Sequence, residues 1–549
     1  MSTSVTRLQD SSPVFYYLHN FRCAVGWILE RYGDLLSHDE NTFIEEFNAL
    51  PLLSQALLVR LIMRKGQHFR AAKIDYPEIG SPARALGPLI DLQWIDPRPL
   101  LGLSELFRLA TRVEISAMFP DLPRGMLKVE TLALLQRAQP APRSFEEWRG
   151  SVAEPVYFVT VAPLCTKLKL LFFGNFRQEW SEFVLADLGI FKYESVRFAE
   201  NSRAFQTRKD VEDFLTLYEC RRGLRENAPL AEVLAHVPQT PLDHEWLESR
   251  RAKLIFQIAR AFERCGECGK ALDLYTACRY PGSRFRAVRS LEMAGRDSDA
   301  YQVAVDAAAA PESAAEAQRL ARVLARLKRR LKLAPDPKVC PVRPERLDLI
   351  VPAPRGNESV EHIARAHLAR LGAPVYYVEN GLINSLFGLL CWDAIFAPVS
   401  GAFFHPFHVG PADLFSPTFR ARRGVQFDLS LASLETQGYR TAIVDRYREK
   451  QGIQSPFVSW GLLSEKLLHA ALACIPGVHL RRCFERLLSN LHENRNGLPD
   501  LIQFCVIEKR YRMIEVKGPG DRLQDNQQRW MQFCLQHGIP VAVCHVRWA

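Results

Sequence analysis

Two β-prone runs, Leu501–Ile507 and Tyr511–Lys517, flank the charged triplet Glu508-Lys509-Arg510 near the end of the chain. A polar break between two such runs predicts an antiparallel hairpin, and no other segment restricts the topology as tightly. Folding the hairpin brings Asp500, just before the first run, beside Glu515 and Lys517 at the end of the second. Strand side chains alternate, so Glu515 and Lys517 share one face and Val516 takes the other. Downstream, Asp521 is placed to cap a helix over Arg522–His537, with Leu523, Trp530, Met531, Cys534 and Leu535 on its buried side and Gly538 ending it. Residues Pro540–Val546 return as a strand, and strand, helix, strand is a crossover, which makes the core a mixed α/β sheet.

Two carboxylates offer hard oxygen ligands suited to Mg²⁺ or Mn²⁺, and a neighbouring lysine suits an attacking water or a phosphate. The chemistry implied is metal-dependent cleavage of a phosphodiester. Glu515 is the one glutamate of the chain followed two residues later by lysine. The competing Asp336-Pro337-Lys338 fails because a central proline cannot pair within a sheet. Upstream, Glu379 opens a helix carrying Leu382, Ile383, Leu386, Phe387, Leu390 and Ile395. On these residues alone a charge at the helix N-terminus is favoured over a further metal ligand. Gln527 is either a surface glutamine or a group that orients water or phosphate.

A chain of 549 residues calls for three or four domains. Its net charge of +10 gives weak support to an anionic partner. Thirteen cysteines without regular spacing, and a start at Met1–Asp10 with no apolar core, point to reduced thiols in a cytoplasm. The longest apolar stretch, Leu386–Ala397, is broken by Asp393 and too short for a bilayer, so no membrane role is expected. No GxxxxGK[ST] loop is present, which argues against ATP as a partner. Cys265 and Cys268 lack a second pair, and His405 and His408 lack the helical spacing of a zinc protease.

Along the chain, residues 1–110 read as helices, and Arg60, Arg64, Lys65, Arg70 and Lys73 are either DNA contacts or a solvated face. Residues 111–245 hold a proline-bounded turn and an amphipathic helix over Met126–Leu135, similar to a SAP DNA-binding unit, with Arg124 and Lys128 as candidate contacts; the part from Val156 onward has no assigned role. Over 246–335, Gly266 and Ala271 recur as Gly295 and Ala300, which points to TPR-like helical repeats. The proline-rich 336–357 reads as a linker, and 358–549 as one α/β domain.

The set Gly497-Leu498-Pro499-Asp500, Glu515-Val516-Lys517-Gly518-Pro519-Gly520-Asp521-Arg522-Leu523, Gln527, Trp530 and Val543-Cys544-His545-Val546 resembles the VRR-NUC branch of the PD-(D/E)xK nucleases. With Glu379, Leu386–Asp393 and Ile395-Phe396, the chain is similar more narrowly to bacterial members of the Fanconi-associated nuclease family. That resemblance implies a restriction-endonuclease-like catalytic domain and a structure-specific DNA nuclease, with 5′ flap endonuclease and 5′ to 3′ exonuclease activity in interstrand crosslink repair. It implies that Glu379, Asp500, Glu515 and the Val516 carbonyl hold one or two Mg²⁺ or Mn²⁺ ions. Lys517 then positions water, and Gln527 supports the site. It reverses the reading of Glu379 made from the residues alone. The ubiquitin-binding zinc finger of vertebrate members is not expected here. Competing readings are a Holliday-junction resolvase or restriction-like nuclease, and a non-catalytic scaffold that binds branched DNA.

Overall fold

The hairpin forms where the residue pattern places it. In this computed structural model, which describes residues 14–122, 125–138, 141–150, 154–198, 202–335, 337, 342–353, 356 and 358–549, the chain divides into two units. One comprises Met1–Phe191 with Arg203–Arg208, the other Lys192–Ser202 with Lys209–Ala549.

In the first unit the helix Tyr16–Tyr32 buries Tyr17, Leu18, Phe21, Ala24, Val25 and Ile28, the three-to-four spacing of one helical stripe. Helices His38–Ala49, Leu52–Ile62 and Pro82–Asp91 follow. Strands β1 (His68–Arg70), β2 (Ile95–Asp96) and β3 (Val156–Val159) form an antiparallel sheet with β3 in the centre. The start of the aromatic segment that carried no assignment in the sequence is thus a central strand. Its tail belongs elsewhere, since Lys192–Ser202 joins the second unit. Leu101, Leu106, Phe107, Ile115, Phe145 and Trp148 form a separate core among the helices Leu103–Leu109, Arg112–Met118, Lys128–Gln136 and Phe145–Arg149.

The second unit begins with sequentially packed helices, among them Glu245–Arg264, Cys268–Ala277, Ser283–Met293 and Asp297–Ala309. The offset seen in the sequence has a structural counterpart. Gly266 and Gly295 follow helix ends at φ +83° and +72°, where a residue without Cβ is unstrained, and Ala271 and Ala300 are fully buried. The result is two successive helical hairpins.

A five-stranded sheet follows, built from β4 (Glu345–Val351), β5 (Val375–Tyr377), β6 (Leu501–Cys505), β7 (Arg510–Lys517) and β8 (Val541–Trp548). Its order is β4-β8-β7-β6-β5; β5, β6 and β7 pair antiparallel, while β7, β8 and β4 are parallel. The linker expectation for 336–357 is corrected by β4. Leu347, Leu349 and Val351 alternate there with Arg346, Asp348 and Ile350, a period-2 pattern hidden in the sequence by flanking prolines. The rest of that stretch lies partly outside the described residues.

One face of the sheet packs Leu501, Ile514, Val516, Cys544 and Val546 against Ile363 and Ala364 of the helix Val360–Leu368. The other packs Ile502, Phe504, Met513, Val541 and Val543 into a larger core with Leu386, Phe387 and Trp530. Strands covered on both faces carry near-continuous apolar runs, as β8 does. No helix among the described residues is long and apolar enough to cross a membrane.

Candidate active site

The β6–β7 register pairs Leu501 with Ile514, and its next step sets Asp500 opposite Glu515. Pairing stops at Leu501, and the Asp500 side chain takes over. Its Oδ2 accepts from the Val516 N–H at 2.9 Å. The Asp500 carbonyl accepts from the N–H groups of Val378 and Glu379 at 2.8 and 2.9 Å. Asn380 Oδ1 in turn accepts from the N–H groups of Gly497 and Leu498 at 2.8 and 3.1 Å. Gly497 has φ +94°, and a Cβ there would meet the Asn526 backbone at 2.8 Å, so glycine is required. Residues 378–380, 497–500 and 516 are thereby fastened to one another through main-chain groups. Glu379 itself sits at φ +33°, a conformation that is strained for a side chain of its kind.

Glu515 is fully buried. Lys517 Nζ lies 2.7 Å from its Oε1, yet neither carboxylate oxygen has a partner in hydrogen-bonding geometry. Burial, reinforced by the negative charge of Asp500, pushes the Glu515 carboxyl up to about 7 against the pull of Lys517. Burial also raises Asp500; the Val516 N–H and Lys517 oppose that shift, while Glu361 and Glu379 add to it. Four carboxylates thus act in one neighbourhood with one ammonium among the groups that shift them.

A buried carboxylate with a single ammonium at one oxygen keeps lone pairs that a further cation can take, and oxygens alone suit a hard divalent ion. The residues therefore fit a metal. Among the described residues, no three His, Cys, Asp or Glu side chains already converge as a metal-holding group. Glu379 is exposed, and its carboxylate, close enough to raise Asp500, is held by the Tyr377 hydroxyl and by Asn380 Nδ2 at 3.2 Å. The hydrogen bond to Glu379, with burial, keeps the Tyr377 phenol protonated well beyond its ordinary range.

Other sequence candidates are engaged differently. The helix after the hairpin starts at Asp525 rather than Arg522, and Asp521 instead accepts from the Gly518 N–H at 3.2 Å, because Pro519 and Gly520 close a turn first. Gln527 accepts from the Gln524 N–H at 2.8 Å in a capping box, so its oxygen completes the helix start. In the first unit Arg60 pairs with Glu78 and lies 4.0 Å over the Tyr17 ring. Arg70 pairs with Glu114 at 2.8 Å and also with Glu154. Arg64 donates to the Lys73 carbonyl at 2.8 Å, and Lys128 to that of Ala110 at 2.8 Å. Lys65 and Lys73 expose their side chains, and Arg124 lies outside the described residues. Tyr377 and Glu361 were missed by sequence reasoning. Tyr377 had one local signal, its place two residues before Glu379, whereas Glu361 arrives through the tertiary fold alone.

Comparison with known proteins adds three family matches: the VRR-NUC domain over residues 434–548, the FAN1 HTH domain over 15–96 and the Fanconi anemia-associated nuclease SAP domain over 100–148. The chain is 52% identical over 538 residues to the Fanconi-associated nuclease 1 homolog of Pseudomonas aeruginosa, covering 97% of this chain and 96% of that one. Among solved structures it is similar to paFAN1 bound to 2nt 5′flap DNA with gap, at 52% identity and a TM-score of 0.95 over 98% of this chain and 100% of that one. It is also similar to paFAN1 bound to 1nt 5′flap DNA with gap, with a TM-score of 0.93 over 98% and 99%.

Proposed function

The chain belongs to the Fanconi-associated nuclease family and is a metal-dependent DNA nuclease; from that premise we propose that it cuts 5′ flap DNA, with Asp500, Glu515, Lys517 and Glu379 as its catalytic set. The observation that carries the site is the fully buried Glu515 carboxylate, with Lys517 alone as its cationic partner at 2.7 Å and Asp500 across from it. Flap preference is supported by the two paFAN1 complexes, and the HTH and SAP regions supply the surfaces that grip a branched duplex. Contacts of that kind fall mainly on phosphates, so shape rather than base sequence is recognised and affinity falls with salt. Action as a 5′ to 3′ exonuclease and in crosslink repair, within the cytoplasm or nucleoid, follows the same family reading.

Asp500, Glu515, Glu379 and the Val516 carbonyl would hold one or two Mg²⁺ or Mn²⁺ ions, which supply charge for the phosphate and an acidified water. The Val516 N–H keeps Asp500 aimed across the strand pair. Lys517 Nζ, beside Glu515, orients the attacking water and offsets charge growing on the phosphate oxygens. Burial of Glu515 excludes solvent from that side of the reaction. Gln527 contributes by fixing the start of the helix Asp525–Gln536.

Labelled 5′ flap, 3′ flap and four-way junction DNA, incubated with the chain and Mg²⁺, test this reading. Preferential cutting of the 5′ flap is expected. Equal cutting of four-way junctions would make the chain a resolvase. Absence of cutting with both Mg²⁺ and Mn²⁺ would leave a scaffold that binds branched DNA.

A further inference from the structure

We propose that Tyr377 is a positioning residue for Glu379, its hydroxyl fixing the carboxylate in the orientation that receives the metal; this rests on the reading of Glu379 as a ligand. Glu379 is exposed, and an unrestrained glutamate would lose its rotamer freedom on taking up an ion. Restraint is already in place. The backbone is clamped by the Asp500 carbonyl, Asn380 Nδ2 holds Oε1 at 3.2 Å, and the Tyr377 hydroxyl donates to Oε2. Each carboxylate oxygen keeps a lone pair for a cation.

Tyr377 is itself held. It pairs with Leu501 in the β5–β6 register, next to Asp500. Its ring stacks on His362 with centroids 5.7 Å apart and planes at 25°. His362 Nδ1 lies 2.9 Å from Ser359 Oγ, the N-cap of the helix Val360–Leu368. A line of contacts from Ser359 through His362 and Tyr377 to Glu379 therefore joins the helix on one face of the sheet to the site. Partners that orient a metal-binding side chain are worth about 10–100-fold in metal affinity when removed. Asn380 also clamps Gly497 and Leu498, so replacing it would disturb the loop, whereas Tyr377→Phe removes one hydroxyl.

The test is calorimetric titration of the full chain, without DNA, with Mn²⁺ alone. Wild type, Tyr377→Phe, Glu379→Gln and the double variant are compared, with thermal melts in chelator as a check on folding. Tyr377→Phe is expected to raise the Kd for Mn²⁺ about 10-fold at unchanged melting temperature, and the double variant to bind no more weakly than Glu379→Gln. Wild-type binding by Tyr377→Phe beside weakened binding by Glu379→Gln would overturn the role of Tyr377 and leave Glu379 as a ligand. Additive losses in the double variant would also overturn it. Unchanged binding by Glu379→Gln would remove Glu379 from the metal site, and the proposal with it.

Discussion

Two glutamates, one in each unit, are displaced in opposite directions. Glu114 receives Arg70 through two hydrogen bonds of 2.8 Å and the Thr111 N–H at 2.7 Å, and these donors hold its carboxyl down at about 2. Glu515 has Lys517 alone, and burial drives its carboxyl up to about 7. The first pair is satisfied and stabilises the N-terminal unit. The second is a charge kept in deficit, which costs stability in the absence of a cation and is what a metal site requires. Density of charge along the sequence does not separate these cases, since the basic run from Arg60 to Lys73 is largely taken up by Glu78, Glu114, Glu154 and a carbonyl. What separates them is whether a buried charge has its donors.

The largest effect expected from this contrast is on catalysis. Lys517→Ala should lower the single-turnover cutting rate on the order of 10²–10³-fold, with flap DNA affinity changed by no more than about 2-fold. Equal losses in rate and affinity would make Lys517 a DNA-binding group instead. Arg70→Ala should cost about 1.5–2 kcal/mol by removing the charged hydrogen bonds it gives the partly exposed Glu114 and Glu154, read as a lower melting temperature of the full chain near pH 7. Its stabilisation is present above the ordinary glutamate range and fades as pH falls toward 2, so the two proteins should converge in acid.

Glu515→Gln tests the opposite sign. A carboxyl raised to about 7 penalises the folded chain above that pH, progressively less down to the ordinary value of 4.5, and not below it. In chelator at pH 8 the variant should be more stable than wild type by about 3 kcal/mol, with the gain gone at pH 4. Greater stability of the wild type at pH 8 would show that Glu515 is satisfied after all. The smallest effect belongs to the exposed lysines. Lys65→Ala with Lys73→Ala should make the slope of log affinity against log salt shallower by about 0.9 for each phosphate these side chains neutralise, leaving cutting at saturation intact. An unchanged slope would place the DNA path away from this surface.

How far the sequence could be read follows the same division. Asp500, Glu515 and Lys517 were legible because one hairpin and period-2 alternation bring them together. The crossover and the mixed sheet followed from a helix and a strand in immediate succession. Strand β4 was not legible, because its seven residues lie among prolines and pair in parallel with β8 at the far end of the chain. The conformation of Glu379 was not legible either. Its φ of +33° is imposed by the Asp500 carbonyl and Asn380 across more than a hundred residues. Nor could the sequence tell that Gln527 would spend its oxygen on a helix cap, since a capping box and a catalytic glutamine look alike in one dimension.

The most direct test of the central claim is Asp500→Ala, assayed for 5′ flap binding and for cutting with Mg²⁺ in the same preparation. The account predicts flap affinity within about 3-fold of wild type and cutting reduced by on the order of 10³-fold or more, because Asp500 both faces Glu515 and holds the Val516 N–H. Cutting at the wild-type rate would contradict it.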